Sequence, residues 1–460
     1  MIKKILIANR GDIAVRIIRT CKELDIKTVA IYSEADKDSF HRYIADESIC
    51  IGPNNISKSY NNIDNIIYLA LKLDCDAIHP GFGFLSENPE LAKKCEENNI
   101  ILIGPTREQM ILMGDKSKAR KIMIKLNIPV VPGSESVLKD KEEALEIANK
   151  IGYPVIIKAA NGGGGKGMRI VYKEEELFSS YDMASAEALS AFSNNDLYME
   201  KYIENPRHIE VQVFGDKFSN AIHLGDRDCS MQRRNQKVIE ESLSNYLSKE
   251  ERISLYKTAV NAVKGIGYLG AGTVEFIVDK NKNFYFIEMN TRIQVEHPVT
   301  EMVTSIDLIK LQIDIAQGKE IPFNQEDIIF KGHAIECRIN AEDPSRDFAP
   351  SPGKITSINL PGGFGVRFDT FIYPGYTIPP LYDSMIGKLI CWAETREECI
   401  KRMNRALDEI IIEGIPTNVE FQKKLINSDA FINDIHHTKS IENIFNQKNN
   451  ETLKEASSTI

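Results

Sequence analysis

Short apolar runs alternate with amphipathic helical stretches through the first hundred residues. Lys4-Ile-Leu-Ile-Ala-Asn9 reads as a buried strand, and after Gly11 the apolar residues Ile13, Ile17 and Leu24 recur at helical spacing. Thr28-Val-Ala-Ile-Tyr32 and Cys75-Asp-Ala-Ile-His79 are further strands, each separated from the next by a helical pattern. Such alternation predicts an α/β unit on a parallel sheet, ending near Gly104-Pro105. A helix is expected from about Glu108 to Leu126, strands at 154–158 and 168–172 on either side of a glycine run, and a helix over 251–265. From His333 the pattern changes to short strands punctuated by Pro352-Gly353, Pro361-Gly362 and Pro374-Gly375, followed by a helix over 394–412. The tail after about 447 is polar.

One stretch breaks the ordinary alternation of buried and solvated positions. In Phe286-Ile-Glu-Met-Asn-Thr-Arg-Ile-Gln-Val-Glu-His297 the polar residues fall at 288, 290, 292, 294 and 296. If the run is extended, all five share one face. An exposed strand face favours Thr, Lys and Ser over this Glu-Asn-Arg-Gln-Glu row. Upstream, Thr273–Val278 and Phe284–Glu288 flank the turn-rich Asp279–Asn283. Pairing symmetrically about Asn281-Lys282 sets Glu275 opposite Glu288, and cross-strand partners lie about 5 Å apart, where like charges repel. A divalent cation removes that repulsion, and Glu275, Glu288 and Asn290 supply the hard oxygen ligands Mg²⁺ prefers.

With 460 residues the chain is long enough for two to four domains. Its net charge of −9 (57 basic against 66 acidic residues) without a basic block excludes a dedicated nucleic-acid binder. The eight cysteines are scattered and form no CxxC pair, no secretory leader pattern opens the sequence, and no apolar run reaches the length of a membrane span. These features point to a reduced, cytoplasmic, soluble enzyme.

Three other segments could carry chemistry. Asn161-Gly-Gly-Gly-Gly-Lys-Gly167 satisfies GxGxxG but leads into a strand, not a helix, and Ala160 and Gly167 break the P-loop pattern. A strand–glycine loop–strand remains, whose backbone N–H groups can reach phosphate oxygens, with Lys158 adding a cation. Tyr198–Ile203 could present backbone groups to a purine. Asp226–Lys237 is polar and cationic at one end, and in Ala334–Asn340 polar and apolar residues alternate, a pattern open to either a functional face or a structural ion pair between Glu336 and another strand. His208 sits in a polar run and could face a phosphate. No nucleophilic triad or Cys/His zinc site is present in the sequence.

Taken together, these segments resemble those of the biotin carboxylases, the ATP-grasp component of biotin-dependent carboxylases, from Met1 to about Asn446. The matching motifs are Ile7-Ala-Asn-Arg-Gly11, His79-Pro-Gly-Phe-Gly-Phe-Leu-Ser-Glu-Asn88, Met113-Gly-Asp-Lys116, the glycine loop and Met199-Glu-Lys-Tyr202. They continue with Arg227-Asp-Cys-Ser-Met-Gln-Arg-Arg234, the run from Glu288 to Glu301, Glu336-Cys-Arg-Ile-Asn-Ala-Glu-Asp343 and Tyr382-Asp-Ser-Met-Ile-Gly-Lys388.

The resemblance implies an α/β and α+β multidomain fold. A Rossmann-like parallel α/β domain would span 1–114 and an ATP-grasp domain 115–330, with a mobile lid at about 131–203. A mixed β-rich domain would follow at 331–446, and then the polar tail 447–460. It implies ATP beneath Gly164 and Gly165, with Lys116, Lys158 and His208 near its phosphates. Glu200, Lys201, Tyr202 and Ile203 would lie at the adenine, and Gln232 in the same cleft. Glu275, Glu288 and Asn290 would hold two Mg²⁺ or Mn²⁺ ions. Lys237, Arg292, Gln294 and the Val295 amide would bind bicarbonate with Glu296 as general base. Arg338 would hold the biotin ureido oxygen while Phe82 and Gly83 pack on its ring.

The implied reaction is ATP-dependent carboxylation of biotin on a carrier protein through carboxyphosphate, as the first half-reaction of acetyl-CoA carboxylase or of a two-subunit pyruvate or other acyl-CoA carboxylase. No Ala-Met-Lys-Met biotinylation signature is present, so carrier and carboxyltransferase are expected as separate chains and this chain as a homodimer. Asn235, Phe82 and Ser242-Leu243 depart from the residues common in the family, His, Tyr and Ala-Pro respectively; none is a metal, bicarbonate or base position.

Overall fold

The computed structural model describes residues 1–159, 167–192 and 194–445. The strand–helix alternation at the start of the chain folds as a five-stranded parallel sheet of β1 (Lys4–Ile7), β2 (Lys27–Ser33), β3 (Glu47–Gly52), β4 (Ala77–His79) and β5 (Ile101–Leu102), in the order β3-β2-β1-β4-β5. Burial on both sides explains the unbroken apolar run of β1. Ile5 and Ile7 pack with Ile13, Ile17 and Ile18 of the helix Gly11–Glu23, while Leu6 packs with Val29, Ile31, Ile66 and Leu91 on the other face.

Beyond this unit the expected single helix over 108–126 is two helices, Arg107–Gly114 and Lys116–Lys125. The break follows from the residues at the joint. Thr106 and Gln109 form a capping box at the first start, and the Asp115 carboxylate accepts from the backbone N–H of Ser117 and Lys118, capping the second.

A small antiparallel sheet comes next, with β6 (Val155–Ala159) between β7 (Met168–Val171) and β8 (Leu197–Lys201). With the helices Lys141–Ile151 and Leu177–Phe192 it has a core of its own, including Leu138, Ala148, Val155, Ile157, Val171 and Met199. The glycine run between β6 and β7, including Gly164 and Gly165, lies outside the described residues, as does the polar tail.

The largest element is an eight-stranded antiparallel sheet of β9 (Arg207–Gly215), β10 (Ala221–Arg233), β11 (Gln236–Ser242), β12 (Gly270–Val278), β13 (Phe284–Asn290), β14 (His333–Asn340), β15 (Val366–Thr370) and β16 (Met385–Ala393). Their order is β13-β12-β9-β10-β11-β14-β16-β15, so the sheet continues without interruption past residue 330. Side-chain alternation divides it into two unlike faces. On one, Val211, Val213, Val274 and Phe276 pack on Leu255, Ala259 and Val263 of the helix Lys249–Gly265. Farther along the same sheet, Ile335, Cys337 and Leu389 pack on Met403 and Leu407 of the helix Arg396–Glu409. The other face carries His208, Glu210, Gln212, Glu275, Glu240, Glu336, Arg338 and Lys388, and it builds the site.

The hairpin β12–β13 pairs Glu275 with Glu288 as the symmetric reading predicts, but by a less direct route. Around the turn Val278 faces Phe284, one residue out of the expected register; the slip is absorbed between Phe286 and Glu288, where Ile287 is the extra residue of a bulge. The Asp279 carboxylate sets this turn by accepting from the backbone N–H of Asn281 and Asn283. A second expectation fails: the strand ends at Asn290, and Arg292, Gln294 and Glu296 lie in the loop that enters the helix His297–Thr304. Pro298 in the first turn of that helix is compatible with a helix start there and with no continuing strand.

Candidate active site

Although only two of the five polar residues of the 288–296 row lie on a strand, the loop folds back so that the row converges. Lys237 stands at the centre. Its Nζ donates to Glu296 Oε1 at 2.7 Å, to Glu275 Oε1 at 3.2 Å and to Glu210 Oε2. Arg338 grips Glu240 Oε1 through Nε at 2.6 Å and reaches Glu296 Oε2 through Nη2 at 3.1 Å. Glu296 is thus held between a lysine and an arginine, with no solvent exposure. Behind Lys237, fully buried Arg227 donates to Glu210 Oε1, Gln212 Oε1, Thr273 and Thr300.

The electrostatics follow from this crowding. Burial by itself would raise the Glu296 carboxyl, but Lys237, Arg338 and Arg227 outweigh it and hold the group well below the usual carboxylate range. Glu275 behaves likewise: burial is overcome by Lys237 and His208. Lys237, which burial alone would discharge, is kept charged by Glu210, Glu296 and Glu275.

Glu275 collects the metal-type ligands. Besides Lys237 it accepts from Asn290 Nδ2 at 2.6 Å and Gln294 Nε2 at 3.0 Å on Oε1, and from His208 Nε2 at 2.7 Å on Oε2. Gln232 Nε2 lies 2.8 Å from His208 Nδ1, which assigns the ring proton to Nε2. His208, Glu210 and Glu275 bring three ligand atoms within 4.8 Å of one another. Glu288, across the hairpin, meets Lys116 Nζ at 3.2 Å at the more open side of the site. The donor set fits Mg²⁺ or Mn²⁺: an ionised buried carboxylate, a second carboxylate opposite it and an amide oxygen, all hard ligands.

Arg292 reaches Asn290 Oδ1 and Gln294 Oε1, each at 2.9 Å, and Glu87 Oε2 at 2.9 Å. Val295 is half-buried, and its carbonyl accepts from Lys388 Nζ at 2.8 Å. That Nζ lies 5.8 Å from the Phe82 ring centroid, which brings the Phe82-Gly83 loop to the edge of the same face. Asn9 Nδ2 holds the loop through the Phe82 carbonyl at 2.7 Å.

The residues expected around a nucleotide form a separate group. Lys158 Nζ pairs with Glu200 Oε2 at 2.5 Å across β6 and β8. Lys201 donates to the carbonyls of Gly152 and Tyr153 at 3.0 and 2.7 Å. Tyr202 hydrogen-bonds Lys439 through its hydroxyl, and Ile203 is half-buried. None of these side chains bonds directly to the Lys237 cluster among the described residues.

Several members of the network escaped the sequence reading. Glu210 and Gln212 alternate with Ile209, Val211 and Val213 just as the 288–296 row alternates, a signal available in the sequence. Glu87 and Lys388 lie inside matched motifs without a role of their own. Glu240 had no signal, because Glu240-Glu241 reads as a solvated pair until β11 is seen between β10 and β14. Of the two readings open for Ala334–Asn340, the structural ion pair of Glu336 is absent among the described residues: no side chain hydrogen-bonds either of its oxygens.

Three family models match the chain in order. They are the biotin carboxylase N-terminal domain over residues 1–110, the carbamoyl-phosphate synthase L chain ATP-binding domain over 115–324, and the biotin carboxylase C-terminal domain over 336–443. Biotin carboxylase 1 of Bacillus subtilis is 56% identical over 443 residues, covering 96% of this chain and 98% of its own. The chain belongs to the biotin carboxylase family. A pyruvate carboxylase subunit of Methanothermobacter thermautotrophicus is 53% identical, covering 96% of this chain and 90% of its own. A crystal structure of Campylobacter jejuni biotin carboxylase in a β-γ-ATP complex superposes with a TM-score of 0.90 at 53% identity, covering 96% of this chain and 99% of that one.

Proposed function

We propose that this biotin carboxylase activates bicarbonate with ATP at the Lys237 cluster and carboxylates a carrier-borne biotin beside Arg338. The observation that carries the reading is the placement of Glu296 between Lys237 and Arg338. One contact points toward the bicarbonate residues, the other toward the biotin residue.

Bicarbonate is a weak nucleophile, and its attack on a γ-phosphate needs a base and neutralisation of spreading charge. Lys237, Arg292, Gln294 and the Val295 amide would hold the anion. Its charge would satisfy Lys237 in place of Glu296, relieving part of the field that suppresses the basicity of Glu296 so that it can take the bicarbonate proton. Lys116, Lys158 and His208 would serve the phosphates, with Gly164 and Gly165 above them. Glu200, Lys201, Tyr202 and Ile203 would meet the adenine, with Gln232 in the same cleft. Glu275, Glu288 and Asn290 would hold Mg²⁺ or Mn²⁺, which supplies Lewis-acid charge neutralisation when bound. Carboxyphosphate would break down to CO₂ and phosphate, the phosphate taking the biotin N1 proton while Arg338 stabilises the enolate-like ureido oxygen and Phe82 and Gly83 lie against the ring.

This reading divides the chain at 1–114, 115–330 with a lid at about 131–203, and 331–446, although the sheet crosses the boundary at 330. A biotin carrier is the required partner. A carboxyltransferase on separate chains, a homodimer and a cytoplasmic setting complete the proposal, with acetyl-CoA as acceptor; the pyruvate carboxylase relative favours pyruvate as the second reading. Among the described residues no helix is long and apolar enough to cross a membrane.

The test is hydrolysis of Mg-ATP by the purified protein. The rate should be slow with bicarbonate alone and rise on addition of free biotin; a rate indifferent to biotin would overturn the assignment. Glu288→Gln removes one of two facing carboxylates and should shift the Mg²⁺ saturation curve to higher concentration. An unchanged curve would remove Glu288 from the metal site.

A further inference from the structure

Three pairs of glutamates face each other across this sheet: Glu210 with Glu275, which Lys237 bridges, Glu275 with Glu288, and Glu240 with Glu336. Glu275 and Glu288 are the pair a metal ion can reconcile. Glu240 on β11 and Glu336 on β14 are directly opposite in the same way, but both are completely buried and the metal-type ligands do not include them. Glu240 Oε1 accepts from Arg338 Nε at 2.6 Å; Glu240 Oε2 and both Glu336 oxygens have no hydrogen-bond partner among the described residues. Two buried carboxylates side by side cannot both stay ionised without a matching cation at each. The charged groups around Glu336 are Glu240 on β11, Arg338 on its own strand, Lys388 on β16 and Glu296 at the head of the helix His297–Thr304. Both cations are engaged elsewhere. Arg338 is committed to Glu240 and Glu296, while Lys388 lies on Asp12 at 3.1 Å and the Val295 carbonyl at 2.8 Å. A single proton shared between the facing carboxyls would join Glu240 Oε2 to one Glu336 oxygen, leaving one orphaned oxygen of three.

We propose that Glu336 is carried as the neutral acid opposite an ionised Glu240, and that this protonated pair is a positioning device for Arg338. The inference rests on the reading of Arg338 as the biotin residue and deepens it. Glu240 Oε1 holds the Nε–Nη2 edge of the guanidinium, 2.6 Å from each nitrogen, and this places Nη2 3.1 Å from Glu296 Oε2. A second full charge at Glu336 would compete for the same guanidinium and turn it away. Burial, opposed by Lys388 and reinforced by Glu240, pushes the Glu336 carboxyl well above the usual range, while burial opposed by Arg338 and reinforced by Glu296 puts Glu240 at about 7. The contact with Arg338 makes Glu240 the ionised member of the pair.

Protonation has a thermodynamic signature. The folded protein keeps a proton on Glu336 that the unfolded chain releases in the ordinary glutamate range, near pH ~4.3. Wild-type stability should therefore fall as pH rises above that range, relative to a variant lacking this group. Glu336→Gln imitates the neutral acid and abolishes the linkage.

The experiment compares the full-length wild-type protein, Glu336→Gln and Glu240→Gln. The melting temperature of Glu336→Gln relative to wild type should climb steadily from pH 6 to pH 8.5, whatever constant offset the amide introduces; a difference independent of pH would overturn the protonated state. In steady-state assays with free biotin, Glu240→Gln should raise the biotin KM by about tenfold, the loss of a hydrogen bond to a charged group, and change the KM for ATP and bicarbonate far less. Glu336→Gln should keep the biotin KM within about twofold of wild type, since its neutral side chain leaves the Glu240–Arg338 contact standing. The proposal fails if Glu336→Gln raises the biotin KM as much as Glu240→Gln, because Glu336 would then act as an anion. It fails equally if Glu240→Gln shifts all three KM values together, the mark of a merely structural role. Wild-type protein that ignores biotin altogether would instead refute the functional reading, and that outcome is distinct from both.

Discussion

Glu296→Gln should lower bicarbonate-dependent, biotin-stimulated ATP turnover by about 10²–10⁴-fold, the range of a positioned general base. The substitution keeps the volume of the side chain and removes its only chemical capacity in this reaction. It also turns an acceptor for Lys237 Nζ and Arg338 Nη2 into a group with one oxygen and one donor, so one of the two cations loses this contact and keeps only its others, Glu210 and Glu275 for Lys237 or Glu240 for Arg338. Nucleotide affinity, measured by calorimetry with a non-hydrolysable ATP analogue, should stay near wild type, because Lys158, Glu200 and Lys201 bond neither Glu296 nor its partners. Loss of nucleotide binding would place Glu296 in the ATP subsite and remove it as base. The pH dependence has a definite sign. Lys237, Arg338 and Arg227 keep Glu296 ionised far below its unfolded range, so the base is present throughout the neutral region. Its stabilising contribution is complete above the unfolded pKa and is lost only as pH falls into the acid range.

How much of this was legible in the sequence depended on whether a residue's role is set by its own strand. The parallel sheet at the start of the chain could be read because each apolar run and each helix is a local pattern, as in Lys4–Ile7 followed by Gly11–Glu23. The pairing of Glu275 with Glu288 could be read because a short hairpin constrains its register. The bulge at Ile287 could not, since it depends on the Asp279 turn, where side-chain hydrogen bonds choose a tighter loop than symmetry does. The end of the strand at Asn290 was hidden by continued alternation in a segment that is loop. Arg292, Gln294 and Glu296 still converge because Glu87, Glu275 and Lys237 hold them, and those residues lie far away in sequence. Glu240 and Glu336 mark the limit. Glu336 stood out on its own strand without showing its neighbour, Glu240 did not stand out at all, and only the adjacency of β11 and β14, joined across about a hundred residues, makes them a buried like-charged pair.

Lys237→Met should cost the most of any single substitution in the site, in stability and in turnover alike. Lys237 Nζ is the common donor to Glu210, Glu275 and Glu296, and all three carboxylates are buried. Removing one member of a buried ion pair leaves an uncompensated charge at about 3–5 kcal/mol; here three groups lose a partner, though Arg227 still serves Glu210 and His208 still serves Glu275. The expected result is a clear fall in melting temperature together with loss of bicarbonate-dependent ATP hydrolysis. Two controls separate charge from chemistry. Adding Mg²⁺ or Mn²⁺ should recover part of the lost melting temperature, because an ion at Glu275 and Glu288 supplies the missing positive charge; Ca²⁺, which demands more ligands, should recover less. Lys237→Arg should restore most of the stability and little of the turnover, since a planar fork cannot replace a point charge directed at three oxygens and a bicarbonate. A Lys237→Met protein with the wild-type melting temperature would mean that the carboxylates neutralise themselves by taking up protons. In that case Lys237 would hold only the anion, and the electrostatic frame of the site would rest on Arg227 and Arg338.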